Sequence, residues 1–486
     1  MFVRPDSHRP AGAAVAGRDA DSRAAGIDFI SFGESRGGIS RGERCTGWLC
    51  EPDSTTPSPS YAFQEKEWTI MTEAEEDLHC WVPTSAPRPA RCAGGLSGHS
   101  VAVKDMIALA GHRSSYGLAA WRATHPPSET TAPVLERLLD AGAAIAGVGK
   151  LDELAYSLEG NTGEGIAPLN PRYPDRFAGG SSSGPASAVA GRAVDIGLGT
   201  DTAGSIRVPS AGCGLFGLRP THGVLDTTGV LPLAPSFDTV GLMCIDPALL
   251  AQSFAIACGD GTDRPRREIS RIRFPRDCVS LACEEAARAI RSTVETLSEV
   301  LGCAVDTSFA FADFVSDESA SMFANLVDRE IWQTHGAWVR EHRDAFHPLI
   351  AGRLRHAEKV SDMPADQQRA EERTREVYRE RMNSIVEDGS VIVLPVMPHL
   401  PPSRHADDAE LAAYRLTTFR LTAPAGLSGC PQLVVPTSGR AFGVGILAGH
   451  NAESALLDAA VRYADSGGTQ SLRPRRPATH GRRFVT

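Results

Sequence analysis

The chain has 486 residues, enough for a large buried core, and its 42% hydrophobic and 22% charged fractions exclude a fibrous or wholly disordered polymer. Its 59 acidic residues outnumber the 49 basic ones, so at a net charge of -10 it lacks the cationic field that draws nucleic acid or an anionic membrane surface. No apolar run approaches the ~20 residues that span a bilayer, and the 11 scattered cysteines form no C-x-x-C pair, which points to reduced thiols in a cytoplasmic protein.

Residues 1–70 are rich in Gly, Ser, Pro, Arg and Asp and carry little periodicity, so they are expected to be a disordered or mis-annotated N-terminal extension. A single catalytic domain is expected over 71–466, followed by a basic tail at 467–486. From about 96 the punctuation changes. Val101-Ala102-Val103 is a buried-strand run that stops at Lys104-Asp105. Val134, Leu135, Leu138 and Leu139 share one helical face, with Pro133 in the first turn and Gly142 at the stop. AAIAGVGK reads as the next strand, and Lys150 at its end is expected in an ion pair. Strand and helix patterns alternate to about 245, which predicts α/β architecture.

Between about 260 and 390 the chain turns helical and charged. Ala286, Ile290, Val294, Leu297 and Leu301 step by three or four before Gly302, an amphipathic surface helix. The stretch from Gln367 is more polar and reads as a solvated face with i,i+4 ion pairs. Val391-Ile392-Val393-Leu394 and Leu433-Val434-Val435 return to buried-strand character.

All but four of the basic residues are arginine, the exceptions being Lys66, Lys104, Lys150 and Lys359. A guanidinium stays charged wherever it sits, whereas a buried ammonium can lose its proton, so a site that needs a lysine base cannot accept arginine instead. Compositional drift would account for four lysines equally well until a motif claims one of them.

The densest run of special residues is Gly179-Gly180-Ser181-Ser182-Ser183-Gly184, followed by Gly199-Thr200-Asp201-Thr202-Ala203-Gly204-Ser205-Ile206-Arg207. Its apolar flanks argue against a flexible linker. Three chemistries compete. A phosphate cradle lacks the G-K-[ST] ending of a P-loop. An α/β-hydrolase elbow matches G-x-S-x-G with Ser182 as nucleophile, but PRYPDRFAG is a poor strand to enter it. The third reading uses two serines and a lysine. A serine hydroxyl is weak until a base takes its proton, and a neutral lysine in a desolvated pocket is such a base. Ser205 follows three small or polar residues whose N–H groups can converge on an oxyanion. Ser181 would relay the proton between Ser205 and Lys104, and the spacing of the two serines is expected to put them on loops at opposite ends of one packed helix–strand unit.

This block resembles the amidase signature family, whose G-G-S-S-G-G and G-T-D-x-G-G-S-I-R patterns are matched by Gly179 to Gly184 and Gly199 to Arg207. Val103-Lys104-Asp105, Lys150-Leu151-Asp152-Glu153-Leu154, Asn170-Pro171, Gly217-Leu218-Arg219-Pro220-Thr221, Ser236-Phe237-Asp238-Thr239-Val240-Gly241 and Gly429-Cys430-Pro431 also fit, so the resemblance runs from about 96 to 465. It implies a large mixed β-sheet covered by helices on both sides. It also implies a Ser-cisSer-Lys triad in which Ser205 is the nucleophile, Ser181 the relay after a cis peptide bond, and Lys104 the general base. The backbone of Thr202, Ala203, Gly204 and Ser205 would form the oxyanion hole, and Ser182, Asp201 and Arg207 would support the loop. No metal or organic cofactor is implied.

Ser183 and Ala203 replace family glycines; the second matters if Ala203 must take a positive φ, which costs an L-residue roughly 1–2 kcal/mol. His222 reads as an ordinary core or surface histidine, and Cys213 and Cys430 as small buried hydrophobes. The expected function is hydrolysis of a small amide through a serine acyl-enzyme, with patterns nearest to plant-type indole-3-acetamide hydrolases and allophanate-type hydrolases. An acyl transferase or amidotransferase subunit is the alternative, ahead of an esterase or a non-catalytic docking module. The expected partner is a small-molecule amide, with no nucleic acid and no membrane; a homodimer is left open.

Overall fold

Apolar runs without polar alternation need cover on both faces, and here they form the centre of a ten-stranded mixed sheet. The computed structural model describes residues 78–83, 85–259, 268–437 and 442–468; the extension expected at 1–70 and nearly all of the tail expected at 467–486 lie outside the described residues. The strands are β1 (Ser100–Lys104), β2 (Ala144–Gly149), β3 (Ile196–Asp201), β4 (Phe216–Arg219), β5 (Thr239–Cys244), β6 (Arg271–Arg273), β7 (Ala304–Asp306), β8 (Ser390–Pro395), β9 (Gln432–Pro436) and β10 (Gly443–Leu447). Their spatial order is β2-β1-β3-β5-β4-β9-β10-β8-β6-β7. Pairing is antiparallel from β3 across to β8. It is parallel at both flanks, where β1 joins β2 and β3 and where β6 joins β7 and β8. Every residue of β3, β5, β8, β9 and β10 is buried.

The helices of seven or more residues are α1 (Pro133–Asp140), α2 (Ser183–Ala190), α3 (Arg207–Cys213), α4 (Pro247–Cys258), α5 (Glu284–Leu301), α6 (Asp317–Glu341), α7 (Pro348–Ser361), α8 (Ala365–Val386), α9 (Asp408–Ser428) and α10 (Glu453–Tyr463). α1 begins on Pro133, whose missing N–H costs nothing in a first turn, and buries the predicted Val134, Leu135, Leu138 and Leu139. α5 carries Glu284 and Glu285 at its start, where acidic charge complements the helix dipole, and stops at Gly302 in the left-handed region.

Two features differ from expectation. β6 and β7 are three residues each, too short to show a period, yet they extend the sheet inside the segment that reads as helical. α8 is not simply a solvated face. Arg375 lies 3.8 Å over the Phe237 ring and donates to the Ser236 carbonyl at 2.9 Å, Glu371 pairs with Arg329 and accepts from Asn325, and Tyr378 and Met382 are buried. The charges of one flank are turned inward because α8 packs on α9 and β8. Among the described residues no helix is long and apolar enough to cross a membrane.

Candidate active site

β1 and β3 run parallel as neighbours, so their C-terminal ends, Lys104 and Thr200-Asp201, reach the same edge of the sheet. The fully buried Lys104 donates from Nζ to Ser181 Oγ at 2.8 Å and to Thr200 Oγ1 at 2.8 Å. Thr200 Oγ1 in turn donates to Met106 Sδ at 3.3 Å. The Gly180–Ser181 peptide bond is cis. Burial brings the Lys104 pKa down from 10.5 to about 7, and the carboxylates of Asp152, Asp201 and Asp238 oppose only part of that shift.

Ser181 precedes α2 and Ser205 follows β3. The two serines do not lie at opposite ends of the unit as expected: because the strand returns alongside the helix, they meet at one end, where Ser182 N donates to Ser205 O at 3.3 Å. The Ser205 side chain is free of hydrogen bonds among the described residues. Ser182 does not lie where an elbow nucleophile would: it is buried, and its hydroxyl donates to the Thr200 carbonyl at 3.2 Å. A Cβ on Gly199 would stand 2.7 Å from that hydroxyl, so the close approach needs glycine.

The Ser205 loop is wound around Asp201. Its buried carboxylate accepts from the N–H of Gly204 at 3.0 Å, Ile206 at 3.1 Å and Arg207 at 3.3 Å, from Arg207 Nε at 2.9 Å and Nη2 at 2.8 Å, and from Arg219 Nη1 at 2.9 Å. Burial alone would raise its pKa, but Arg207 and Arg219 hold it well below the usual carboxylate range. Gly204 takes φ of +132°, outside the range of an L-residue, whereas Ala203 is not among the residues with positive φ, so its substitution for glycine adds no strain. The oxyanion expectation is narrowed here. The Gly204 N–H is already engaged by Asp201, while those of Thr202, Ala203 and Ser205 have no acceptor among the described residues. Thr202 is fixed through its hydroxyl, 2.5 Å from Asp238 Oδ1, and its carbonyl, 3.2 Å from Arg219 Nη1.

Asp201 and Arg207 were anticipated as supports, whereas Arg219, Thr200 and Asp152 were quoted in motifs without a role. Arg219 also donates to the carbonyls of Asp201 at 2.6 Å and Phe237 at 3.0 Å. Asp152 accepts from Gly160 N at 3.1 Å and Thr162 N at 2.9 Å, fastening the 152–162 loop beside the cis peptide, where its own N–H meets Ser181 O at 3.4 Å. For Thr200 and Arg219 the available signal was polarity at the end of an otherwise apolar strand, where such a residue must find a buried partner. Lys150 does not form the expected ion pair among the described residues, because its ammonium reaches the Ile166 carbonyl at 3.0 Å. His222 is exposed and touches the Pro235 carbonyl at 3.0 Å, and Cys213 and Cys430 are buried. Among the described residues no group of three or more His, Cys, Asp or Glu is placed to hold a metal ion.

The family model described as Amidase matches residues 81–271. Amidase 1 of Arabidopsis thaliana is 33% identical over 368 residues, covering 70% of this chain and 86% of that protein. Translocon at the outer membrane of chloroplasts 64 of Pisum sativum is 29% identical, with 77% of this chain and 66% of that protein covered. A solved structure described as a crystal structure of amidase is 25% identical with a TM-score of 0.68, covering 77% of this chain and 85% of that one. The chain therefore belongs to the amidase family, hydrolases acting on amide carbon–nitrogen bonds.

Proposed function

We propose that the protein hydrolyses a small amide through an acyl-enzyme on Ser205, with Ser181 as proton relay and Lys104 as general base. The observation that carries this reading is the 2.8 Å bond between Lys104 Nζ and Ser181 Oγ at a lysine whose pKa lies at about 7. A neutral amine has two N–H donors and one lone pair. Thr200, whose own proton faces the Met106 sulfur, acts as acceptor toward Lys104, which leaves the lone pair for the Ser181 proton.

In the forward half-reaction Ser205 Oγ bonds to the amide carbon as its proton passes through Ser181 to Lys104. The carbonyl oxygen gains negative charge and is met by N–H groups of Thr202, Ala203 and Ser205, which the loop leaves without acceptors. Collapse breaks the C–N bond, and the proton returns through the relay to the leaving amine. Water then attacks the ester along the same path and releases the acid. The Ser205–Ser181 contact closes when substrate is bound, as catalytic hydrogen bonds often do. A small primary amide is the substrate class of this reading. The cysteines described form no disulfide, which supports a reducing, cytoplasmic setting.

The test is ammonia release from a panel of small primary amides, with and without added hydroxylamine, by the wild type and Ser205→Ala. Hydrolysis falling about 10⁴-fold or more in the variant is expected. Product formed only with the amine acceptor would replace hydrolysis by acyl transfer, and unchanged turnover in Ser205→Ala would refute the nucleophile.

A further inference from the structure

We infer that the cavity between α6, α7 and α9 receives the acyl arm of the substrate, and that Arg415 recognises a carboxylate or similar anion at its far end. This rests on the amidase reading above and deepens it by naming a substrate class: amides whose acyl arm is apolar along its length and anionic at its tip.

The cavity has a volume of about 450 Å³, within the size range of small-molecule sites, and Ala324, Leu349, Leu411 and Phe419 give it apolar walls. Its position relative to the catalytic loop follows from α9. Leu411, Arg415, Phe419 and Thr422 recur at three- or four-residue steps and so share one face of that helix. The first three line the cavity, and Thr422 abuts the catalytic loop, its Cγ2 lying 3.1 Å from where a Cβ on Gly204 would stand. Arg415 is two turns from Thr422, ~10 Å along the helix. The 152–160 loop joins the same two places. Gly180 N donates to Leu158 O at 2.8 Å beside the cis peptide, while Arg353, on the cavity wall, donates to Tyr156 O at 2.9 Å.

The charges at the far end are unequally satisfied. Arg353 pairs with Glu159 at 3.0 Å, and although burial alone would raise the Glu159 pKa, Arg353 and Arg415 hold it at about 2. Asp328 is held by the Tyr156 hydroxyl and by His356 Nδ1 at 2.9 Å. Asp408, exposed at the cavity rim, lies two turns beyond Arg415. Arg415 itself, half-buried, lies 5.9 Å from the Tyr156 ring centroid and 5.4 Å from that of Phe419, and makes no hydrogen bond or ion pair among the described residues. Its guanidinium presents a planar fork of donors to an apolar cavity, and a planar anion is the ligand that satisfies such a fork.

The test uses straight-chain primary amides of about eight carbons ending either in a carboxylate or in its methyl ester, together with the matching dicarboxylic acid as a binding probe in calorimetry. Wild type is expected to favour the acid over the ester by about tenfold or more in kcat/KM. In Arg415→Gln that ratio should fall toward one, mainly through KM; Arg415→Lys should keep part of it; and the dicarboxylic acid should bind Arg415→Gln at least tenfold more weakly than wild type. Equal turnover of acid and ester by wild type, an equal loss on both in Arg415→Gln, or unaltered binding of the dicarboxylic acid would overturn the assignment while leaving the amidase reading intact. Arg415-dependent binding of the dicarboxylic acid with no amide cleaved would instead sink the amidase reading and leave the anion site standing.

Discussion

Lys104 is one of four lysines in an arginine-rich chain, and among the described lysines it is the one whose side chain is fully buried against two hydroxyls. Burial lowers the pKa of a cation, so near pH 7 the amine passes from its charged to its basic form. In the proposed mechanism only the neutral amine accepts a proton, so kcat/KM should rise with pH and level off above an apparent pKa near 7. A profile flat between pH 5 and 9 would contradict this. Lys104→Arg keeps the charge but removes the base, and a loss of about 10³-fold or more is expected in a direct turnover assay. At this scale the motif block pointed to Lys104, Ser181 and Ser205 together, and the structure joins the first two by a 2.8 Å bond. Thr200 and Arg219 were less so, because their roles depend on which strand lies beside which, and no spacing in the sequence encodes that.

At the scale of elements, the Ser205 loop is held by two buried arginines converging on one carboxylate. Removing one member leaves the rest desolvated and unbalanced, which costs about 3–5 kcal/mol for a buried pair. Arg219→Met should therefore lower unfolding free energy by that amount in urea titration, and should lower kcat as the carbonyls of Asp201 and Thr202 lose their donor. A variant as stable as wild type would show that Arg207 alone suffices. The sequence indicated α1 and α5 because proline, glycine and an apolar stripe mark their ends and faces. It caught the solvated face of α8 but not the inward flank of Glu371 and Arg375, since a polar helix looks the same whether its charges meet water or the backbone carbonyls and side chains of a neighbour. It missed β6 and β7, whose three residues cannot display a period.

For the whole molecule, α/β alternation predicted layers but not the strand order. The antiparallel middle with parallel flanks arises from long crossovers that periodicity does not specify. Helices α6, α7 and α9 line the cavity, so on the inference above substrate preference lies where motifs are silent, and Arg415 had no signal in the sequence beyond being one arginine among many. What unites the scales is one claim: a sheet edge carries a buried neutral lysine that activates Ser205 through Ser181. The most direct test is reaction with a fluorophosphonate probe followed by peptide mapping. Labelling at Ser205, abolished in Ser205→Ala and slowed strongly in Lys104→Arg, is the predicted result; labelling at Ser182, or undiminished labelling without Lys104, would contradict the account.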